Sequence, residues 1–202
     1  MTRSTCKPSG VQPGFKSAEK DMALTSTLYD FQIALANTDR GVDQQLSFKV
    51  ARHPSETMQR VWLRVLAYCW LWEERLQFGP GLSTPDSPDL ETRDYTGLVT
   101  AWVRVGHPEP LKVQRAIDQN GNAQVWVLFE DPVKMKAFLS EAVSEKMNRI
   151  SKAKLAAVEP EFLQSLAENE SRRTKANVTL AGDHFYLDLN GVTVDGPLTH
   201  GY

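Results

Sequence analysis

One apolar run constrains the fold of this chain more than any other feature. Residues 61–72 are apolar at every position except Arg64. A helix that is apolar on all sides is covered on more than one face, so we expect it to pass through the centre of the domain. The run is shorter than the ~18 residues of a membrane span, which indicates a core helix. Arg64 is interpreted as a side chain that extends to the rim of the core.

The boundaries of this central helix are predicted from the residues that flank it. Pro54 suits a first helical position, because its missing N–H costs no hydrogen bond there. Glu56 in the first turn would face the positive end of the helix dipole. The helix is therefore predicted to begin within residues 53–56. It is predicted to end in Glu73, Glu74 and Arg75, before the turn of residues 79–81.

Alternating apolar and polar residues predict strands on both sides of the helix. Residues 24–35 and 45–51 alternate and are separated by turn residues 37–41, which indicates an antiparallel hairpin. Residues 98–105 also alternate, whereas residues 125–129 are all apolar, as in a parallel strand covered on both faces. A short helix at residues 108–117 would connect these two strands as a right-handed βαβ unit.

The remaining patterns complete an α/β domain with a mixed β-sheet flanked by helices. Residues 83–94 contain prolines and aspartates and are predicted to form a polar loop. The further predicted elements are helices at residues 131–149 and 155–167, followed by strands at residues 178–180, 185–189 and 192–194.

Composition and charge narrow the classes of protein that this chain can represent. Its 202 residues fit one domain, predicted as residues 22–202 after a disordered polar tail at residues 1–21. The net charge is −2, so the chain as a whole has no long-range electrostatic attraction to nucleic acid or to an anionic membrane. The two cysteines, Cys6 and Cys69, form neither a disulfide framework nor a zinc pattern. We therefore expect a cytoplasmic protein that does not bind a membrane.

Acidic residues surround the end of the central helix. Glu74 lies at the helix end, Asp86 and Asp89 lie in the polar loop, and Asp94 lies before the next strand. Carboxylates gathered from a helix end, a loop and a strand are what a divalent-metal site needs. The same residues also suit solvated helix ends and turns, where Asp is favoured for local backbone hydrogen bonds.

Five stretches of the chain carry longer sequence signatures: residues 22–27, 51–57, 74–78, 81–82 and 97–108. Together they resemble the bacterial YaeQ family, and the resemblance covers nearly everything from Met22 onward. It implies a variant of the PD-(D/E)XK fold, with a restriction-endonuclease-like core. In that fold a helix places a Glu beside strands that carry an Asp, then an acidic residue and a Lys.

The fold that the resemblance implies leads to a first functional hypothesis, a magnesium-dependent phosphodiesterase or nuclease acting on nucleic acid, although the resemblance itself implies no established activity. Glu74 matches the helix Glu, Asp89 completes a literal Pro-Asp pair, and Asp94 matches the family's Asp ahead of Thr-Gly. These three carboxylates would bind Mg²⁺, which polarises a phosphoryl oxygen and activates water. Lys112 would stabilise the developing charge. Arg115 matches a second basic position of the family.

Arg104 departs from the family pattern and supports a second hypothesis. The family strand usually carries an acidic residue at this position, and the (D/E)XK tripeptide is absent. A cation there weakens divalent-metal binding, and Arg104 could instead pair with Glu74 or Asp94. Arg104 and Arg115 are then candidate cofactor-binding residues. The alternative function is a non-catalytic module that binds nucleic acid or a protein partner.

Geometry separates the two hypotheses. Carboxylates that share a Mg²⁺ ion converge within ~4–5 Å of one point, because Mg–O distances are ~2.1 Å. An arginine at that point would disfavour metal catalysis. Trp70, Trp72 and Trp102 are assigned to the core, although an exposed tryptophan could stack on a base.

Overall fold

The computed structural model describes residues 1, 26–80, 84 and 86–201. The predicted tail, residues 1–21, lies outside the described residues except for Met1. The first two residues of the strand predicted at 24–35 also lie outside them. The following statements concern the described residues.

Ten strands form one mixed sheet, and four helices pack against it. The helices are α1 (Met58–Leu71), α2 (Pro110–Gln119), α3 (Pro132–Ser144) and α4 (Pro160–Glu168), with a 3₁₀ turn at Asn148–Lys152. The strands are β1 (Thr27–Asn37), β2 (Val42–Arg52), β3 (Gln77–Phe78), β4 (Leu90–Arg93), β5 (Val99–Val105), β6 (Gln124–Phe129), β7 (Lys154–Val158), β8 (Arg173–Leu180), β9 (His184–Leu189) and β10 (Val192–Gly201).

The strand order is β2-β1-β8-β9-β10-β7-β6-β5-β4-β3. Strands β5, β6 and β7 are parallel, as are β1 and β8, and the other neighbours are antiparallel. Strand β10 joins the two halves: Val192–Pro197 pair with β9, and Leu198–Gly201 pair with β7. An α/β domain with a mixed sheet flanked by helices is thus confirmed.

Helix α1 lies inside the curve of this sheet, as its all-round apolar sequence predicts. Its buried side chains form one core with the inward face of β1, which presents Phe31, Ile33 and Leu35. The sheet nearly closes around the helix. Phe48 on edge strand β2 and Phe78 on edge strand β3 lie 5.2 Å apart between ring centroids. Tyr68 of α1 contacts both rings and fills the gap between the edges.

The start of α1 differs from the prediction by one turn. The helix begins at Met58, and the hydroxyl of Thr57 accepts a hydrogen bond from the backbone N–H of Arg60. Pro54 therefore lies in the preceding turn. Thr57 supplies the cap because its side-chain oxygen satisfies an otherwise unpaired N–H at the helix start. The carboxylate of Glu56 is consequently placed in the interior, where it is 2% exposed.

A second core lies on the opposite face of β5, β6 and β7. Helices α2 and α3 cover this face, and Val113, Phe138 and Val127 are fully buried in it. On β6, Trp126 and Leu128 pack against the α1 core, whereas Val125 and Val127 pack against the second core. The predicted parallel strand covered on both faces, reached through a connecting helix, is confirmed.

Two strand regions were not predicted. Strand β3 precedes the stretch predicted as a polar loop, and strand β4 lies within the last part of that stretch. The predicted helix at residues 155–167 is a strand, β7, followed by α4. Residues 155–158 form a short apolar run, whose periodicity does not distinguish a buried strand from a buried helix. Pro160 then begins α4, since proline fits the first helical turn.

No helix among residues 26–80 and 86–201 is long and apolar enough to cross a membrane.

Gly79 allows the chain after β3 to approach the start of β4 closely, and this contact gives a first prediction. A Cβ at position 79 would lie 2.1 Å from the backbone oxygen of Pro88. We expect Gly79→Ala to lower the free energy of unfolding by about 1–3 kcal/mol, measured by urea denaturation, because the backbone must shift. Gly121→Ala is the matched control, since its Cβ would meet nothing within 4 Å. Equal effects of the two substitutions would contradict the prediction.

Candidate functional site

Asp89 is the centre of a buried network of charged side chains. It is 1% exposed. Arg60 donates from Nη2 to Oδ1 of Asp89 at 2.5 Å, and the backbone N–H of Val105 donates to Oδ2 at 2.9 Å. The Nε of Arg104 lies 3.6 Å from the same Oδ2. Both carboxylate oxygens of Asp89 therefore face donors of the protein itself.

The backbone positions Asp89 through β-type hydrogen bonds. Its N–H donates to the carbonyl of Val103 on β5 at 2.8 Å, and its carbonyl accepts from the N–H of Gly79 at 2.9 Å. Arg60 also donates from Nη1 to the carbonyl of Val105 at 2.8 Å. The network thus joins the start of α1 to the carboxyl end of β5.

Glu56 is the second buried carboxylate of the network. It accepts from the backbone N–H of His53 at 3.2 Å and lies 3.4 Å from Nε of Arg60. Its two oxygens each lie 3.5 Å from Nη1 of Arg64, which also donates to the carbonyl of Ala51 at 3.1 Å. Arg64 is 2% exposed, so its predicted position at the rim of the core is wrong.

The network carries more positive than negative charge. The guanidinium groups of Arg60, Arg64 and Arg104 face two carboxylates, Glu56 and Asp89. Paired charges of this kind are tolerated in an interior because each side chain has an opposite partner. Arg104 is partly exposed and also donates to the carbonyl of Ser87.

The other two predicted metal ligands have different local roles. Glu74 is exposed in the turn that follows α1. Asp94 organises the turn before β5: its Oδ1 accepts from the hydroxyl of Thr96 at 2.6 Å and from the N–H groups of Thr96 and Leu98. The hydrogen bond from the Thr96 hydroxyl is the main cause that lowers the pKa of Asp94. This is the turn role that the sequence also allowed.

The described side chains do not fit the Mg²⁺ ion that the family resemblance implies. Among the residues that the structure describes, no group of three or more His, Cys, Asp or Glu could hold a metal ion. Asp89 uses its oxygens to accept hydrogen bonds from Arg60 and Val105. Arg104 lies beside it, where a metal-binding fold would need another anion. Binding Mg²⁺ requires carboxylate oxygens that face one common point.

The structure instead brings the three basic candidates together. Arg104 on β5 and Lys112 and Arg115 on α2 line a cavity of about 120 Å³, here called the basic cavity. Its other lining residues are Asp86, Trp102, Pro108, Ala116 and Gln119. Lys112 lies 3.5 Å from Glu109, but both side chains are exposed enough that the pair is weak. Three cations and one facing carboxylate give the cavity a local positive charge.

Glu56, Arg60 and Arg64 were not identified as site residues from the sequence. Their spacing of four residues was the available signal, because such residues lie on one face of a helix. Arg60 and Arg64 continue that face into a helix that carries no other charged side chain. Charged residues at helical spacing on a buried helix indicate an internal partner. That partner, Asp89, lies 29 residues further along the chain from Arg60.

The fold and the site together define a class of mixed α/β protein in which a nearly closed ten-stranded sheet encloses one helix. A buried arginine–carboxylate network ties that helix to the carboxyl end of β5. Comparison with known proteins identifies the family. The model of the YaeQ family, described as YaeQ protein, matches residues 22–196. The chain belongs to the YaeQ family.

Solved structures and bacterial relatives agree with this assignment. The crystal structure of YaeQ protein from Xanthomonas axonopodis pv. citri has a TM-score of 0.79 and 25% identity, over 87% of this chain and 98% of that chain. The structure from Pseudomonas syringae has a TM-score of 0.78 and 27% identity, over 88% and 96%.

Two relatives carry the name "Uncharacterized protein YaeQ". The Salmonella typhi protein is 35% identical over 116 residues, which are 52% of this chain and 64% of that protein. The Escherichia coli (strain K12) protein is 38% identical over 99 residues, which are 48% of this chain and 54% of that protein. The matched segments thus span less than two thirds of either relative.

Removing the buried carboxylate gives a second prediction. We expect Asp89→Asn to lower the free energy of unfolding by about 3–5 kcal/mol, because Arg60 and Arg104 both lose their buried ion pair with Asp89. Asp118→Asn is the control: Asp118 pairs with Arg149 at 2.5 Å, but both side chains are exposed. Its loss should cost less than about 1 kcal/mol. A small effect of Asp89→Asn in urea denaturation would argue against a structural role for the network.

The turn at Asp94 gives a third prediction. Its pKa is lowered, so its ionised form stabilises the folded chain above the pKa of the unfolded state. That contribution is lost as the pH falls through the folded pKa. Thr96→Val should raise the Asp94 pKa toward its ordinary value, measured by ¹³C NMR titration of the carboxyl carbon. Thr100→Val should leave it unchanged, because the Thr100 hydroxyl donates to the carbonyl of Thr92.

Proposed function

We propose that this chain is a nucleic-acid-binding module that holds backbone phosphates at the basic cavity without cleaving the strand. The observation that supports the proposal is the convergence of Arg104, Lys112 and Arg115 on one cavity. Guanidinium and ammonium groups are the usual protein partners of phosphate, and arginine adds a bidentate geometry. If the resemblance to the PD-(D/E)XK fold holds, the cavity at Arg104 would correspond to the place where a nuclease of that fold acts on its substrate.

Local rather than global charge would drive this binding. The net charge of the chain is −2, so long-range attraction to nucleic acid is absent. A short segment of the backbone would be held by two or three phosphate contacts. We therefore expect modest affinity that decreases steeply with salt, because each contact releases condensed counterions.

The charged network favours binding over catalysis. We propose that the PD-(D/E)XK-like arrangement, α1 followed by β4, β5, α2 and β6, is retained as a scaffold. Arg104 occupies the position of a metal-binding acid, and Arg60 and Arg104 already neutralise Asp89. A phosphodiester in the cavity would then meet cations but no activated water. The competing hypothesis, Mg²⁺-dependent cleavage by Glu74, Asp89, Asp94 and Lys112, remains open to the experiment below.

Salt-dependent binding gives a fourth prediction. Fluorescence anisotropy with labelled single-stranded DNA, RNA and duplex DNA should show saturable binding to at least one of them. Lys112→Met and Arg115→Met should each weaken binding and reduce the slope of log K against log[salt] by about 1 on a duplex, or about 0.7 on a single strand. Lys136→Met is the control, because Lys136 is exposed on α3 outside the basic cavity.

Cleavage is tested in the same samples. Incubation with Mg²⁺ or Mn²⁺ should leave the labelled strands intact. Metal-dependent cleavage that is lost in Glu74→Gln would overturn the non-catalytic proposal and support the phosphodiesterase. Absence of binding to all three nucleic acids at low salt would overturn nucleic-acid binding and favour a protein partner.

A further inference from the structure

A second cavity, called here the tryptophan cavity, lies at the opposite end of the parallel strands. It measures about 450 Å³. Its walls include Gln124 and Lys154, the first residues of β6 and β7, and Trp70 near the end of α1. The basic cavity, in contrast, includes Arg104 and Pro108 near the carboxyl end of β5. The two cavities have no lining residue in common.

Two indole rings form an apolar corner in the tryptophan cavity. The rings of Trp70 and Trp126 lie 5.1 Å apart between centroids with an interplanar angle of 81°. Leu71, Leu76 and Val103 supply further apolar surface. Trp126 is partly exposed, whereas Trp70 is 8% exposed. The assignment of Trp70 to the core is therefore correct, but its ring also lines this cavity.

Charged groups surround the apolar corner. Arg40 donates from Nη1 to the carbonyl of Trp70 at 3.0 Å, a bond that uses one of its five guanidinium N–H donors. Lys154 places Nζ 4.3 Å from the Trp126 ring centroid and 3.2 Å from Oε1 of Gln124. Glu73 accepts a hydrogen bond from the hydroxyl of Thr92. Two cations and one carboxylate thus line the same cavity as the two indoles.

We propose that the tryptophan cavity binds a nucleoside monophosphate. The corner of Trp70 and Trp126 suits a flat aromatic base, since bases stack favourably on indole rings. Arg40 and Lys154 suit the phosphate. Glu73 suits the amino or imino N–H of the base, because an ionised carboxylate is an acceptor only. The volume lies within the ~300–1,000 Å³ that is usual for small-molecule sites.

Each group in the cavity matches one part of this ligand. An inorganic phosphate would use the cations and leave the indoles unused, and a free base would use the indoles and leave the cations unused. The carboxylate of Glu73 disfavours a ligand that is anionic throughout. This inference goes beyond the proposed nucleic-acid binding and does not depend on it, because the two cavities are lined by different residues.

The test uses the full chain, isothermal titration and ¹H–¹⁵N NMR of the indole N–H groups, which five tryptophans supply. Titration with AMP, GMP, CMP and UMP should give saturable binding of at least one nucleotide. The signals of Trp70 and Trp126 should shift, whereas those of Trp62, which is fully buried, and Trp102, which lines the basic cavity, should not. Adenosine and inorganic phosphate, titrated alone, should bind at least about tenfold more weakly.

Variants locate the site independently. Lys154→Met and Arg40→Met should each weaken binding of the nucleotide by about tenfold, since each removes a charged phosphate partner. Glu73→Gln should change the order of preference among the four bases. Lys136→Met is the control that should leave binding unchanged, and Lys112→Met tests whether the nucleotide binds in the basic cavity instead. Thermal denaturation of each variant shows whether it is folded as the parent chain is.

Three results would overturn the proposal. If no nucleotide binds at millimolar concentration, the cavity is not a nucleoside monophosphate site. Binding that shifts Trp102 and is lost in Lys112→Met would place the nucleotide in the basic cavity, and so would support nucleic-acid binding while excluding this site. Equal binding of inorganic phosphate and nucleotide would show that the indoles take no part.

Discussion

The ion pair between Arg60 and Asp89 is the contact on which the arrangement of this domain depends. Helix α1 has an almost entirely apolar surface, so the hydrophobic effect explains why it is buried. That effect does not determine the rotation of the helix about its axis or its position along the sheet. Arg60 fixes both, because it binds Asp89, which directly precedes β4, and the carbonyl of Val105 at the end of β5. Glu56 and Arg64 complete the network at the start of the helix. A buried charge tolerates few positions, so this contact sets the register of helix and sheet.

The same contact determines what the site can do. A carboxylate at the position of Asp89 could bind a metal ion if its oxygens and those of other carboxylates faced one common, accessible position. Here Arg60 and Arg104 lie at those oxygens, and the backbone of Val105 donates to one of them. Arg104, Lys112 and Arg115 line the neighbouring basic cavity. This arrangement is the basis of our proposal that the site binds an anion and not a metal ion.

The curvature of the sheet creates the second cavity. Because β10 pairs with β9 along its first half and with β7 along its second half, the two halves of the sheet enclose α1. The turn after β1 then brings Arg40 next to the end of the helix, near Trp70. Residues that are more than 100 positions apart, Arg40 and Lys154, line one cavity as a result. Phe48 and Phe78 close the opposite gap between the sheet edges.

Four features could be predicted from the amino-acid sequence alone: the buried central helix, the first hairpin, the parallel strands β5 and β6, and membership of the family. These features are local: hydrophobic period and turn residues are read within a short window of the chain. The sequence did not distinguish strand from helix at residues 155–158, because a short apolar run suits both. It also did not reveal which charges meet. The pairing of Asp89 with Arg60 and Arg104, and not with the group of Glu74 and Asp94, follows from tertiary packing. Such ion pairs join residues that are distant in sequence, and burial determines which of them meet.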